Sequence, residues 1–450
     1  MTGGVVVVGG GLAGIAAALD CAAAGAQVTV LEVRPRLGGA AYSFERHGLR
    51  LDNGQHVFLR CCTAYIALLD RLGSRRLTTM QPRLDIPVIA PGGRIGRLRR
   101  SDLPAPLHLA AALASYPHLR PRDRLRAARA ALALRGLDPE DPRLDERSFG
   151  SWLADRRQGP AAVEALWDLI ARPALNLPAE QASLAQAVQV FRTGLLGTAD
   201  AADIGWAVAP LEDVHDVAAR AALAAAGADV RLGWRADRIA PGDDRGWSVG
   251  GPRGVIDAEA VVVAVPHDRL AGLLPPGALA APERVRSLGS SPIVNLHVAY
   301  DRRVTDLPFA AGVRSPVQWV FDRTESSGLE RGQLLAVSLS AADREMALRF
   351  GDLRARYLPA LAALFPAAGR ARVERFVVTR EHAATFRAAP GAAALRPATR
   401  TLLPGLAVAG AHTATGWPAT MEGAVRSGHA AAREVLAALA GTPAPRAVAA

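Results

Sequence analysis

The sequence predicts an α/β fold, in which a parallel sheet covered by helices on both faces is interrupted by inserted α+β segments. Three observations predict it. The chain opens on an apolar run, a glycine turn, an Ala-rich stretch and a second apolar run ending in an acid. Two further near-continuous apolar runs, Ala260 to Val265 and Gly405 to Ala409, lie far downstream. Strands of that kind are buried on both faces, as in a helix-covered parallel sheet. With 450 residues, 50% hydrophobic and 21% charged, the chain is long enough for two domains and apolar enough to pack.

Taken in order, Gly4–Val8 reads as a buried strand and Gly9-Gly10-Gly11-Leu12-Ala13-Gly14 as a tight turn. Leu12 to Ala24 reads as a helix stopped by Gly25, and Gln27 to Leu31 as a second strand ending at Glu32. That is a β-α-β unit of the size of a right-handed parallel crossover, the start of a Rossmann-like sheet. Val214 to Ala226 then reads as a helix and Ala228 to Leu232 as a strand. Residues 1–79, 210–269 and 401–441 are therefore expected to form one discontinuous nucleotide-binding domain. Residues 80–209 and 270–400 would form a domain facing substrate and membrane, and 442–450 a disordered tail. The first insert reads as mostly helical and Arg-rich. Pro104 to Arg135 has helical periodicity in Leu107, Leu109, Leu113, Leu125, Leu132 and Leu134, with Arg120, Arg122, Arg124, Arg126 and Arg129 crowded into one stretch. The second insert carries strand candidates at Val294–Tyr300, Val317–Phe321, Leu334–Leu339 and Val373–Thr379, whose alternation suggests a sheet with one covered face.

The chain has no Lys, so its 53 basic residues are all Arg, against 42 acids and a net charge of +11. The basic runs lack interleaved aromatics, and aromatics are 5% of the chain, which argues against a base-stacking nucleic-acid surface. A chain rich in Ala and Arg and without Lys reads first as a bias in residue supply, and a basic face against anionic lipid is a better expectation than nucleic acid. Cys61 and Cys62 are neighbours without metal-ligand spacing, no metal centre is expected, and the sparse count suits a reducing cytosol. There is no basic signal-peptide n-region and no apolar run of bilayer-spanning length. The expected location is the cytoplasm, peripheral on the inner face of the cell membrane.

The chemistry begins at the glycine turn. Gly9 permits the turn, Gly11 lets backbone approach a pyrophosphate, and Gly14 lets the helix pack on the strand. The helix N-terminus offers free N–H groups to phosphate. Glu32, 18 positions after Gly14, can accept from a ribose 2′-hydroxyl and would repel a 2′-phosphate. Past Glu32 and Val33, a second Arg/Gly turn follows at Arg34, Arg36, Leu37, Gly38, Gly39 and Ala40, and another tight segment at Leu51-Asp52-Asn53-Gly54-Gln55-His56. A chain that wraps twice over a nucleotide suits a retained flavin, hence FAD, better than a mobile nicotinamide. Near the C-terminus a strand ends at Gly410-Ala411, a loop crosses Gly416 to Thr420, and a helix runs from Met421 to Leu439. Its N-terminus can stabilise negative charge on a reduced flavin, with Trp417 packed on the ring system.

At these three motifs the sequence resembles the flavin-containing amine oxidase and phytoene desaturase superfamily. Asp52-Asn53-Gly54-Gln55-His56-Val57 and the stretch from Thr415 to Gly428 look like its squalene-associated FAD-dependent desaturase branch, whose members are hydroxysqualene dehydroxylases of squalene and hopanoid synthesis. The resemblance implies an FAD domain, a lipid-substrate domain, and reduction of hydroxysqualene to squalene with loss of water. It implies that the turn from Gly9 through Gly11, Leu12, Ala13 and Gly14, with Glu32 and Val33, holds the ADP half. Arg34, Gly38, Gly39 and Ala40 would lie beside the pyrophosphate, and Val230 would meet the adenine through its backbone. Gly54, Gln55 and His56 would line the flavin side of the pocket. Gly410, Ala411, Trp417, Pro418, Ala419, Thr420, Met421 and Glu422 would line its other edge. Two departures weaken FAD retention: Ala40 stands where the family often has Arg, and Ala411 where it often has Asp. The missing Lys and the missing paired tyrosines count against amine oxidation.

Dehydroxylation needs a general acid for the leaving oxygen. The candidates are His56 and Glu422, and Trp417 is the candidate for stabilising an allylic cation. The partners expected are the lipophilic isoprenoid substrate, a membrane surface and enzymes of the same pathway, with no nucleic acid. A carotenoid or phytoene-type desaturase is the alternative activity, and a non-catalytic nucleotide-binding protein the second alternative.

Overall fold

The computed structural model describes residues 4–242 and 246–441, so the tail expected at 442–450 lies outside the described residues. Five parallel strands form the first sheet, in the spatial order Asp229–Leu232, Gln27–Glu32, Gly4–Val8, Ala260–Val263, Leu406–Val408. The central strands are runs of valine, a residue whose branched side chain suits a pleated, covered surface, and Val5 to Val8 and Ala260 to Val263 are buried throughout. The order of connection reverses at Gly4–Val8. The crevice beyond the C-terminal end of that strand is where open α/β sheets bind their ligands.

Two helices pack on this sheet and on each other. Leu12–Ala23 is buried on almost every side, and Met421–Leu439 crosses it so closely that a Cβ on Gly428 would stand 2.2 Å from the Ala13 carbonyl oxygen. Strand, turn and both helices therefore form one rigid block around the glycine turn. A small antiparallel sheet, Arg238–Pro241, Trp247–Gly251 and Gly254–Ala258, packs against the opposite face through Trp247 and Val249.

The second sheet has seven strands, in the order Val373–Phe386, Ser290–Tyr300, Gln333–Ser340, Trp319–Asp322, Phe309–Gly312, Asp85–Ala90, Arg94–Arg99. All pairs are antiparallel except Phe309–Gly312 against Asp85–Ala90. One face packs on Phe350–Leu364 through Leu353, Tyr357 and Leu361. Other sheet residues, Phe309 and Phe321 among them, share a core with the helices at Phe149–Asp155, Asp168–Leu175 and Leu184–Phe191.

The structure corrects the sequence reading of the first insert. Helices dominate residues 80–209 as expected, but the hairpin Asp85–Arg99, which the reading missed, joins the second sheet. Pro87 hid that strand, since proline argues against a strand interior. Pro104–Arg135 is not one helix either. It divides into turns at Leu107–Leu109, a short helix Ala110–Ser115, and the helix Pro121–Arg135, with Pro117 and Pro121 breaking the run. Its leucines do not share an inward face: Leu134 is buried, whereas Leu107, Leu125 and Leu132 are exposed.

Candidate active site

The glycine turn is fixed by contacts only glycine allows. A Cβ on Gly14 would lie 1.9 Å from the Gly9 carbonyl oxygen, and one on Gly39, whose φ is +59°, would lie 2.8 Å from the Gly11 Cα. The two turns thus face each other across the crevice, and Gly38 N donates to Gly10 O at 2.9 Å. At Gly11 itself a Cβ would make only an ordinary contact, 3.7 Å from the Gly39 Cα. The helix it begins has no side-chain cap and no acid in its first turn. Its leading amides are left for an anion.

The Glu32 carboxylate is held at its strand end by two amides. Oε2 accepts from Gly10 N at 2.7 Å and Oε1 from Arg34 N at 2.7 Å, leaving lone pairs for ribose hydroxyls. The second turn is braced from outside the local sequence. Leu37 N donates to Asp216 Oδ1 at 2.8 Å, Arg36 Nη1 to Gly39 O at 3.0 Å, and the Arg36 guanidinium stacks 3.6 Å from the Tyr42 ring centroid. Val33, Arg34 and Ala40 are exposed at the rim, and Val230 sits in the edge strand opposite Val30. Open glycine cradle, uncapped helix and tethered carboxylate fit the ADP half of a dinucleotide.

The segment from Asp52 to His56 joins this cradle to the second sheet. Asn53 Nδ2 donates to Ala40 O at 2.9 Å and to Glu381 at 3.1 Å, while its Oδ1 accepts from Tyr42 N at 3.1 Å. The Asn53 carbonyl accepts from Asn295 Nδ2 at 2.8 Å and from Thr379 Oγ1 at 3.1 Å. Asp52 forms a buried ion pair with Arg323 at 2.6 Å. It also accepts from Ser43 Oγ at 2.7 Å and Leu211 N at 3.0 Å, and Arg323 donates to the carbonyls of Ala207 and Ala209. A buried pair is tolerable only with further hydrogen bonds to its free positions, and these contacts supply them.

Beside the pair lies a small cavity of about 10 Å³, enough for one water-sized group. Its lining includes the polar side chains of Asp52, Gln55, His56 and Arg323 and the aromatic rings of Trp206 and Phe321. His56 is deep in the protein but keeps some open surface because it lines this space. Burial holds its pKa below 6.5, Arg323 adds to that, and Asp52 and Glu381 oppose it. Gln55 Nε2 is buried with no hydrogen-bond partner. Trp206 meets Phe309 edge-on at 5.4 Å, and Phe309 and Phe321 are 6.0 Å apart, so the aromatic wall continues into the apolar core.

The C-terminal loop and the helix Met421–Leu439 form where the sequence reading put them, and their polar side chains are engaged by neighbours. Glu422 accepts from Ala64 N at 3.1 Å and Tyr65 N at 2.7 Å, and pairs with Arg426 at 2.7 Å. It caps the helix Thr63–Arg71, and each oxygen is taken. The Arg426 guanidinium lies 4.8 Å from the Trp417 ring centroid, so a cation already covers one face of that ring. Thr420 caps its own helix by accepting from Gly423 N at 3.1 Å, which leaves the amides of Met421 and Glu422 as the open donors at that end. Pro418 is buried and Ala419 packs against the core that holds Phe321. Gly410 N donates to Ser427 Oγ at 2.8 Å, and Arg396 collects the carbonyls of Ala411, His412 and Thr413. His412, one residue past Ala411, is buried with Nε2 unpaired.

Asn295, Arg323, Thr379, Glu381, Trp206 and Phe321 were not legible as site residues. The charged pair Asp322-Arg323 directly after the apolar run Trp319-Val320-Phe321 was the one available signal.

Fold and crevice define a flavin-dependent oxidoreductase. Residues 12–436 match the model of the flavin-containing amine oxidoreductases. The chain belongs to that family, and its cofactor is FAD. Among its relatives, hydroxysqualene dehydroxylase of Rhodopseudomonas palustris is 31% identical over 96% of this chain and 98% of its own. The 15-cis-phytoene desaturase of Synechococcus elongatus is 26% identical, covering 96% of each chain. Of solved structures, putrescine oxidase bound to putrescine superposes with a TM-score of 0.72 at 21% identity, over 97% of this chain and 99% of its own. Cyclohexylamine oxidase of Brevibacterium oxydans gives 0.71 at 20% identity, over 98% and 100%. At those identities the likeness is one of fold.

Proposed function

We propose that this protein reduces hydroxysqualene to squalene, releasing water. The observation that carries the reading is the 31% identity to a hydroxysqualene dehydroxylase along nearly the whole of both chains. The cavity, lined by polar Gln55 and His56 together with aromatic Trp206 and Phe321, is compatible with a substrate that carries an oxygen on a hydrocarbon chain.

Bound reduced FAD supplies a hydride. The substrate carbon gains that hydride and loses its bond to oxygen, and the oxygen takes one proton and leaves as water. His56 is the proton donor in this reading. Glu422 is set aside, since two amides and Arg426 occupy its carboxylate. Asp52 and Arg323 hold the cavity wall in place. Trp206 and Phe321, not Trp417, present ring faces to the positive charge that grows on an allylic carbon as oxygen leaves. The exposed leucines of the helical insert meet the bilayer from which so apolar a substrate arrives.

Polyene desaturation is the competing reading, favoured by the full-length likeness to phytoene desaturase. The deciding experiment is anaerobic incubation of the photoreduced holoprotein with hydroxysqualene, and of the oxidised holoprotein with phytoene, each followed by lipid mass spectrometry. Squalene from the first incubation is expected. A desaturated polyene from the second, with hydroxysqualene untouched, overturns the proposal.

A further inference from the structure

We infer that the cleft beside the loop joining the helices His267–Leu273 and Pro282–Ser287 binds a single-chain carboxylate, a fatty acid, with its chain in the cleft and its head on Arg286. The cleft lies apart from the cofactor crevice, and the inference is independent of the proposed reaction. Leu270 and Val285 seat the two helices on Val261 and Val263, on the sheet face opposite the one under the helix Leu12–Ala23. No residue lines both this cleft and the cavity beside His56.

The cleft's volume is about 190 Å³. At about 30 Å³ for a water-sized group, it has room for about six methylenes. It is larger than a cavity of about 150 Å³ that takes benzene, and smaller than the roughly 300–1,000 Å³ of a pocket for a drug-sized ligand. A short hydrocarbon chain fits, and a long polyene does not.

The loop that walls the cleft is stiff. Pro275, Pro276 and Pro282 are three of the eight lining residues, and their rings fix φ. Pro276-Gly277 has the pattern of a type II turn, with Gly277 at φ +80° and Ala278 N donating to Pro275 O at 3.2 Å. Ala278 O in turn accepts from Leu402 N at 3.0 Å, which ties the loop to the segment entering the strand Leu406–Val408. A loop held in this way resists folding into the space beside it. The cleft is therefore preformed, and little ordering is needed to fill it.

The lining chemistry selects the ligand. Prolines carry no N–H, so much of the wall offers no donor to a docking peptide backbone. Leu274 and Leu279 add apolar surface, and Arg286 is the one polar side chain of the lining. Arg286 is exposed, and among the described residues it has no ion-pair or hydrogen-bond partner. An apolar cleft with one unpaired guanidinium complements an apolar chain that ends in a carboxylate.

The test is equilibrium dialysis of the holoprotein against radiolabelled octanoate, whose chain matches the volume, and separately against octanol. One octanoate per chain is expected. Affinity should rise by up to about fourfold per methylene from butanoate to octanoate, then level off as further carbons stay in water. Arg286→Gln should weaken octanoate about fivefold, the upper range for an exposed ion pair, and leave octanol unchanged. Ala271→Phe, which fills the cleft from the helix His267–Leu273, should abolish binding of both, with the flavin spectrum unchanged. Leu279→Trp serves if Ala271→Phe does not fold. Octanoate held equally well by Arg286→Gln or by the filled variant overturns the inference and assigns the binding to another apolar space. No uptake of octanoate by wild type, or octanol bound as tightly as octanoate, overturns it as well.

Discussion

His56 carries opposing influences in one side chain. Burial and the neighbouring Arg323 disfavour its imidazolium, while Asp52 and Glu381 favour it, and the balance leaves its pKa below 6.5. A proton donor must begin protonated, so the active form is full at acid pH and declines as pH rises through that lowered pKa. The single-turnover rate of hydroxysqualene reduction should therefore fall with rising pH from a midpoint below 6.5, with about a tenfold loss per pH unit on the alkaline limb. His56→Gln should flatten this limb and slow the step by about a hundredfold or more. A slope that survives in His56→Gln, read by stopped-flow flavin reoxidation, would assign the proton elsewhere. At this scale the sequence offered both His56 and Glu422 as candidates. What separated them is spatial: the amides of Ala64 and Tyr65 come to Glu422 from more than 350 positions away, and no local pattern announces them.

Among the elements, the strand–turn–helix at the N-terminus was legible because its constraints are local. The turn, the helix stop and Glu32 fall within one β-α-β unit, so spacing alone reports them. The long amphipathic helix Met421–Leu439 was legible by its period. The hairpin Asp85–Arg99 was not, since Pro87 breaks the strand signal and its partner Phe309–Gly312 lies more than 200 residues downstream. The cavity was illegible for the same reason: Asp52 and Arg323 are separated by 271 positions. The glycines allow the turn's two duties to be tested apart. Gly14→Ala forces a Cβ to within 1.9 Å of a backbone oxygen, so it should destabilise the fold itself and lower the unfolding temperature of protein stripped of flavin. Gly11→Ala meets nothing closer than 3.7 Å, so the stripped protein should unfold as wild type does while FAD binds far more weakly. Equal behaviour of the two variants in differential scanning fluorimetry and flavin titration would show that Gly11 does not face the pyrophosphate.

For the whole molecule, the proposed reaction raises the question of how a chain without a membrane-spanning helix among its described residues would meet a substrate that water excludes. Its net charge is +11, but charge alone attracts a protein to anionic lipid without seating it. Under that proposal the helix Pro121–Arg135 would supply both parts. It turns Ala127, Ala130 and Leu134 inward, which leaves Leu125 and Leu132 exposed with Arg122 and Arg129 on the same outward side. Leu103 and Leu107 are exposed in the segment just before it, and the intervening helix Ala110–Ser115 packs on it. The pattern is that of an interfacial helix, whose apolar side chains enter the headgroup boundary while its arginines meet anionic lipid. Each arginine near such a surface contributes about 1 kcal/mol, and each leucine carried fully out of water about 2 kcal/mol. Leu125→Ser with Leu132→Ser should therefore reduce co-sedimentation with phosphatidylglycerol-containing vesicles by at least tenfold at any salt, since burial of apolar surface is insensitive to screening. Arg122→Gln with Arg129→Gln should instead remove a salt-sensitive share and leave binding in high salt untouched. All four side chains are exposed or nearly so, and neither pair should shift the unfolding temperature. Sedimentation unchanged by both pairs would place the membrane face elsewhere on the molecule, and sedimentation lost equally at every salt in both would mean the arginines act by packing their stems rather than by charge.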